Sequence, residues 1–267
     1  PREAEKTLMV AVQEGKLQSV SERSFVGMND ERIREILNAF EYLTGKYERE
    51  AVDAAIALKE EIIPRLIEVL RKVFSSPKQY LDMPDFMAHT YAVMLLGHFR
   101  EARSHDVIVD LFSLPDDIPY ELFGDLVTED LSSILYRTCG GSLDRMESLA
   151  MNRNADPFCR VAALDAMVFA VAEGMAQRED VVSFFGSLFR EDMAESGSGF
   201  WDLWASAVLD IYPEELMDKV KSAYDAGLVS HSVVGYKHFR KALEEESVET
   251  SLQRVREELQ RRSLDDL

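Results

Sequence analysis

The apolar positions along this chain recur at three- and four-residue intervals almost from end to end. In ERIREILNAFEYL, Ile33, Ile36, Leu37, Phe40 and Leu43 fall on one stripe, the spacing of an amphipathic helix. EAVDAAIALKEEIIPRLIEVLRKVF continues as two helices, and Pro64 is expected in the first turn of the second, where its missing N–H is harmless. Pro84 stands ahead of the apolar run FMAHTYAVMLLGHF. In ADPFCRVAALDAMVFAVAEG, Asp156 reads as an N-cap, Pro157 as the first helical residue and Gly174 as the end. YPEELMDKVKSAYDAG starts at Pro213, carries Glu214 and Glu215 in its first turn and ends near Gly227. DVIVDLF and DVVSFFGSLF would pass for strands taken alone, but their spacing also fits a helix and each follows a helix closely. The pattern predicts helices there too.

Helix breakers recur at short intervals and no heptad seam persists, which predicts helical hairpins. Two stretches are alike at a separation of 71 residues, so that Ala92 matches Ala163, Leu95 matches Ala166 and Leu96 matches Met167. Helix pairs starting near Pro84, Asp125, Pro157 and Phe200 have the period of a solenoid built from stacked pairs. The expected fold is all-α: an alpha-alpha superhelix, a HEAT-like solenoid of antiparallel helix pairs. Its expected organisation is an N-terminal extension over 1–30, a repeat domain over 31–243 and a charged C-terminal helix over 244–267.

Composition narrows the function classes. The 267 residues carry a formal net charge of −19, which disfavours nucleic acid and anionic membrane surfaces as partners. Basic residues concentrate only in LQRVREELQRRS, interleaved with glutamates. No apolar run approaches the roughly 18 residues of a membrane span, and the first twenty residues do not read as a signal peptide. Two cysteines, Cys139 and Cys159, make neither a disulfide framework nor a four-cysteine zinc site, and a reducing cytoplasm is the expected compartment.

AVMLLGHFREARSHDVIVDLFSL resembles a short HEAT-like repeat. REAVDAAIALKEEIIPRLIEVL, YAVMLLGHFRE, LFGDLVTEDLSSILYRTCGG, ALDAMVFAVAEG and YPEELMDKVKSAYDAGLV occur in that order. Together they resemble the bacterial family of domain of unknown function 1186, over roughly Ile33 to Leu243. The resemblance implies an all-helical superhelix with no assigned activity. Some members of that family carry a cysteine-rich, metal-binding C-terminal segment. Here the run leads instead into the charged helix SLQRVREELQRRSLDDL, so the metal association is not carried over.

Candidate chemistry is sparse. FGDLVTEDLSSILYRTCGG gathers Asp125, Glu129 and Asp130, yet most of it reads as one bracketed helix. Asp125 is placed to cap it, acids suit its positive end, and Gly140 and Gly141 suit its C-terminal cap. Asp130 is the exception, an acid on the edge of the apolar face. His89 is the histidine that a neighbouring repeat would bring towards these acids. No histidine pair has helical metal spacing, and HExxH is absent. Trp201 and Trp204 share a helix face, either as core or as aromatic anchors lining a groove. Neither cysteine has the basic surroundings of a nucleophile, and no phosphate loop, GxSxG elbow or dinucleotide fingerprint appears.

The expected function is therefore a non-enzymatic scaffold whose curved acidic surface binds a protein or peptide, a basic one by charge, with no cofactor. The alternative is an enzyme or metal-dependent binder with a site assembled between repeats around His89, Asp125, Glu129 and Asp130. Self-association through the C-terminal helix is a third. The oligomeric state is not legible in the residues.

Overall fold

A computed structural model describes residues 29–190, 192–195 and 197–262. The expected N-terminal extension lies almost wholly outside these residues. The described residues are helical with no β-strand; two isolated bridges are the only β-type pairings among them. They form two compact units, one of the residues up to Arg65 with Asp85–Ala88, the other of Leu66–Pro84 with the chain from His89 onward.

The first unit contains α1 (29–41), α2 (Arg49–Ala57) and the start of α3 (Lys59–Ser75). Ile33, Ile36 and Phe40 of the predicted stripe are buried, as are Val52, Ala55, Ile62 and Ile63. The segment Asp85–Ala88 pairs with the end of α1 through a Tyr42–Phe86 bridge, Leu43 N donating to Asp85 O at 2.7 Å. One boundary differs from expectation. The break between α2 and α3 falls at Leu58, so Pro64 lies inside α3 and not in its first turn. The proline is tolerated because it and Glu60, whose carbonyl loses its helical donor, are both exposed, and water can take the lost bond.

The second unit is organised around α11 (Pro157–Ala172). Asp156 caps it as expected, its Oδ1 accepting from Phe158 N and Cys159 N, with Pro157 as the first helical residue. At the other end Gly174 adopts φ 73°, and Met175 N and Gly174 N bond to Ala170 O and Val171 O, the paired closure of a Schellman cap. From Cys159 to Ala172 every residue but Asp165 is buried. A helix apolar on nearly every side must be surrounded, and its alanines let neighbours come close. Those neighbours are α8 (Leu126–Glu129), α9 (Leu131–Thr138), α10 (Asp144–Met151), α12 (Arg178–Leu188), α13 (Phe200–Asp210) and α16 (Val248–Arg261).

Around this centre lie α4 (Pro77–Leu81), α5 (Ala88–His98), α6 (His105–Phe112), α7 (Ile118–Phe123), α14 (Met217–Asp225) and α15 (Tyr236–Glu245). DVIVDLF and DVVSFFGSLF are helical, as α6 and α12. The bracketed acidic helix is a second correction: it is two helices. Gly124 (φ 56°) closes α7 before it, Gly140 and Gly141 (φ 62° and 93°) close it after, but Asp130 interrupts the middle. Asp130, at φ −119° and ψ −20°, breaks the helix between buried Leu126 and Val127 and buried Leu131, Ile134 and Leu135, and both halves pack against α11. Asp125 makes no side-chain cap bond.

Candidate functional site

Asp165 is the one residue between Cys159 and Ala172 of α11 that is not fully buried, and Asp210 of α13 lines the same cavity. The two carboxyls line a cavity of about 220 Å³ walled by Val161, Val168, Phe169 and Leu203 and closed by Val255 and Glu258 of α16 and by Arg262 just after it. A carboxyl in such a wall is poorly solvated, which disfavours its charged form. Burial, then the charge of Asp210, pushes Asp165 up to about 7, against the opposing pull of Arg262. Burial likewise raises Asp210 to about 6, although Arg254 opposes it. At neutral pH the pair therefore holds a proton part of the time, and it can donate to a ligand or bind a cation.

Helix α16 lies across this face because its own pattern is amphipathic. Leu252 and Val255 are buried beneath it, and its arginines reach the rim. Arg254 stands 3.4 Å from Asp210 and 2.8 Å from Glu246. Arg256 Nε donates to Ala172 O at the end of α11, at 2.6 Å. Arg262 pairs with Glu258 at 2.8 Å and donates to Glu129 O and Ser132 Oγ at 3.3 and 3.4 Å. Asp210 is thus answered by the guanidinium of Arg254, while Asp165 feels the charge of Arg262 without a bond to it among the described residues.

Asp130 belongs to the edge of this arrangement. It is half-buried, and its carboxyl is raised by burial and by Glu129, with Arg262 drawing it down. Asp125 and Glu129 are exposed, Asp125 accepting from the Tyr120 hydroxyl at 3.3 Å. His89 is buried on α5, its Nε2 2.6 Å from the carbonyl of Leu122 and its ring edge-on to Phe123. Burial lowers its pKa. No group of three or more histidine, cysteine or acid side chains converges as a metal site among the described residues.

Trp201 and Trp204 are 2% and 0% exposed, edge-to-face at 5.8 Å, and donate to Ala194 O and Phe185 O. Trp201 also borders an apolar cavity of about 610 Å³ with Phe189 and Leu228. Its neighbour Asp202 accepts a bond from Ser230 N. Asp165, Asp210, Arg254 and Arg262 were not singled out by sequence reasoning. The signal for the two acids was present, each a lone carboxylate inside an apolar run, VAALDAMV and SAVLDIY.

The described residues thus define an all-helical protein with a half-buried acidic groove crossed by the amphipathic helix α16. The chain belongs to the family described as Protein of unknown function (DUF1186), whose sequence model matches residues 31–267. An uncharacterized protein of Chlamydia trachomatis serovar D is 31% identical over 223 residues, covering 84% of this chain and 88% of that protein. An uncharacterized protein of Chlamydia muridarum is also 31% identical over 223 residues, covering 84% and 89%. No solved structure matches the chain. No helix among the described residues is long and apolar enough to cross a membrane.

Proposed function

We propose that this protein is a binding scaffold whose groove along α11 and α13 accepts a basic amphipathic helix of a partner protein. The observation that carries the reading is α16 itself. It places Leu252 and Val255 against apolar walls while Arg254 and Arg262 meet the acids and polar atoms of the rim. A partner helix with the same alternation would satisfy the same groups, steered by the −19 charge of the chain. In this reading α16 occupies the groove in cis and yields it to a competitor.

The test is fluorescence anisotropy of a labelled peptide of residues 247–262 against the full chain and against a chain ending at Glu245, with circular dichroism to check folding. Salt-sensitive binding, tighter to a folded truncated chain and weakened by Asp210→Asn, supports the reading. A folded truncated chain with no affinity for the peptide sinks it. The alternative built on His89, Asp125, Glu129 and Asp130 has less to rest on, because two of its acids face solvent and its histidine is engaged by a backbone carbonyl.

A further inference from the structure

Arg160, in the first turns of α11, is 2% exposed and still carries a guanidinium. Its Nε donates to Ala150 O and its Nη2 to Met193 O, both at 3.0 Å, and its Cζ lies over the Phe200 ring, 3.8 Å from the centre. All three partners are neutral. Among the described residues no carboxylate pairs with it, and the charge it feels from a neighbour is that of Arg153, of the same sign. A buried charge of this kind is normally paired, because removal from water is otherwise uncompensated.

The same molecule shows what a completed arginine clamp looks like. Arg178 also grips two carbonyls, those of Ile211 and Tyr212, at 2.8 and 2.6 Å. Its charge is answered by Glu215 through two bonds of 2.6 and 2.7 Å. Arg160 has the carbonyls and, among the described residues, lacks the acid, in a chain with 49 acids to 30 lysines and arginines. Arg160 lines a cavity of about 680 Å³ together with Arg153, Asn154, Glu195 and Ser198. Nη1 of Arg160, with no protein acceptor among the described residues, is the nitrogen left for a ligand.

We infer that this cavity is an anion site, in which Arg160 and Arg153 hold the phosphate or carboxylate group of a small molecule. Arg160 supplies the fixed, desolvated charge. Arg153 supplies a movable one, since its side chain is 57% exposed and only loosely paired with Asp192 at 3.9 Å. Asn154 and Ser198 add neutral donors at the rim. The first N–H groups of α11 are already taken by Asp156, so these side chains hold the anion and the helix end does not. Glu195 on the rim disfavours highly charged anions and selects for a single oxyanion group. This site is separate from the α16 groove, and either reading can fail without the other.

The experiment titrates the full chain with inorganic phosphate and, separately, with acetate, against chloride at equal ionic strength. Calorimetry gives the affinity, and tryptophan emission gives a second readout because Trp201 bonds to Ala194, a wall residue of the cavity. Saturable one-to-one binding of either probe is expected, and the tighter of the two identifies the group. Arg153→Gln, on the exposed rim, is expected to weaken it by about tenfold without unfolding the chain. Arg160→Lys keeps a charge but loses the planar fork and is expected to weaken it further. No saturable binding of either probe overturns the inference, and so does binding that both variants leave unchanged.

Discussion

Arg254 and Asp210 stand 3.4 Å apart although 44 residues separate them, and their contact ties α16 to α13. Their side chains are 43% and 34% exposed, so water screens the pair and its net contribution is small. Its role is placement: it sets where α16 crosses the groove.

Arg254→Ala is accordingly predicted to lower global stability by no more than about 1 kcal/mol. It should nevertheless speed hydrogen exchange and proteolysis within 248–261 well before the rest of the chain. Uniform protection across that helix in the variant would refute this. Asp210→Asn should loosen α16 less, since the amide oxygen still accepts from Arg254.

Asp165 sets a pH dependence of defined sign. Its folded pKa of about 7 is above the ordinary aspartate value, so the folded state binds the proton more tightly than the unfolded state. Stability from this group is therefore complete at low pH and is lost as pH rises from about 4 towards 7. Asp165→Asn removes the charged form and is predicted to stabilise the chain by about 1–2 kcal/mol at pH 8, with a smaller gain at pH 5. Urea midpoints at the two pH values check it; an equal or larger gain at pH 5 contradicts it.

His105 acts in the opposite direction. Thr138 Oγ1 gives its hydrogen to Ile134 O at 2.8 Å, so His105 Nδ1–H donates to Thr138 at 2.9 Å and Nε2 is left buried without a partner among the described residues. Burial chiefly, with Arg145 adding to it and Asp106 opposing, pushes the imidazole down to about 4. A depressed histidine is stable while neutral, and its contribution is lost as pH falls from about 6.5 to 4, by up to about 3 kcal/mol. His105→Gln should flatten the acid side of the stability profile measured between pH 4.5 and 7.5. A variant as acid-sensitive as the parent chain would place the cause elsewhere.

Pro64 interrupts α3 on its solvent side. Pro64→Ala restores a donor to the Glu60 carbonyl and relieves the ring clash, which is predicted to stabilise the chain by about 1–3 kcal/mol. Thermal unfolding followed by circular dichroism reads this directly. A lower midpoint would mean that the proline's restriction of the unfolded chain outweighs its disruption of the helix.

Much of the fold was legible because it is written locally. Asp156 and Pro157 start α11, Gly174 ends it, and Gly140 and Gly141 end α9, each by a backbone preference that acts within one turn. Pro64 was misplaced because a proline's tolerance depends on which face of the helix is wet, and that is a tertiary property. Asp130 was legible as an acid out of place. Its interruption of the helix was not, because apolar spacing looks continuous across a bend that both halves need for burial.

The sequence alone determined that the chain is helical, where most helices begin and end, and that its surface is acidic. The tertiary structure decided which acids lose their water. Arg262 reaches Ser132 across 130 residues, and Asp165 meets Asp210 from a different helix. Local periodicity states which face of each helix is apolar, but not which faces meet. That choice is made by side-chain packing between distant segments, and it turns two lone acids into a groove and leaves Arg160 without a counter-ion among the described residues.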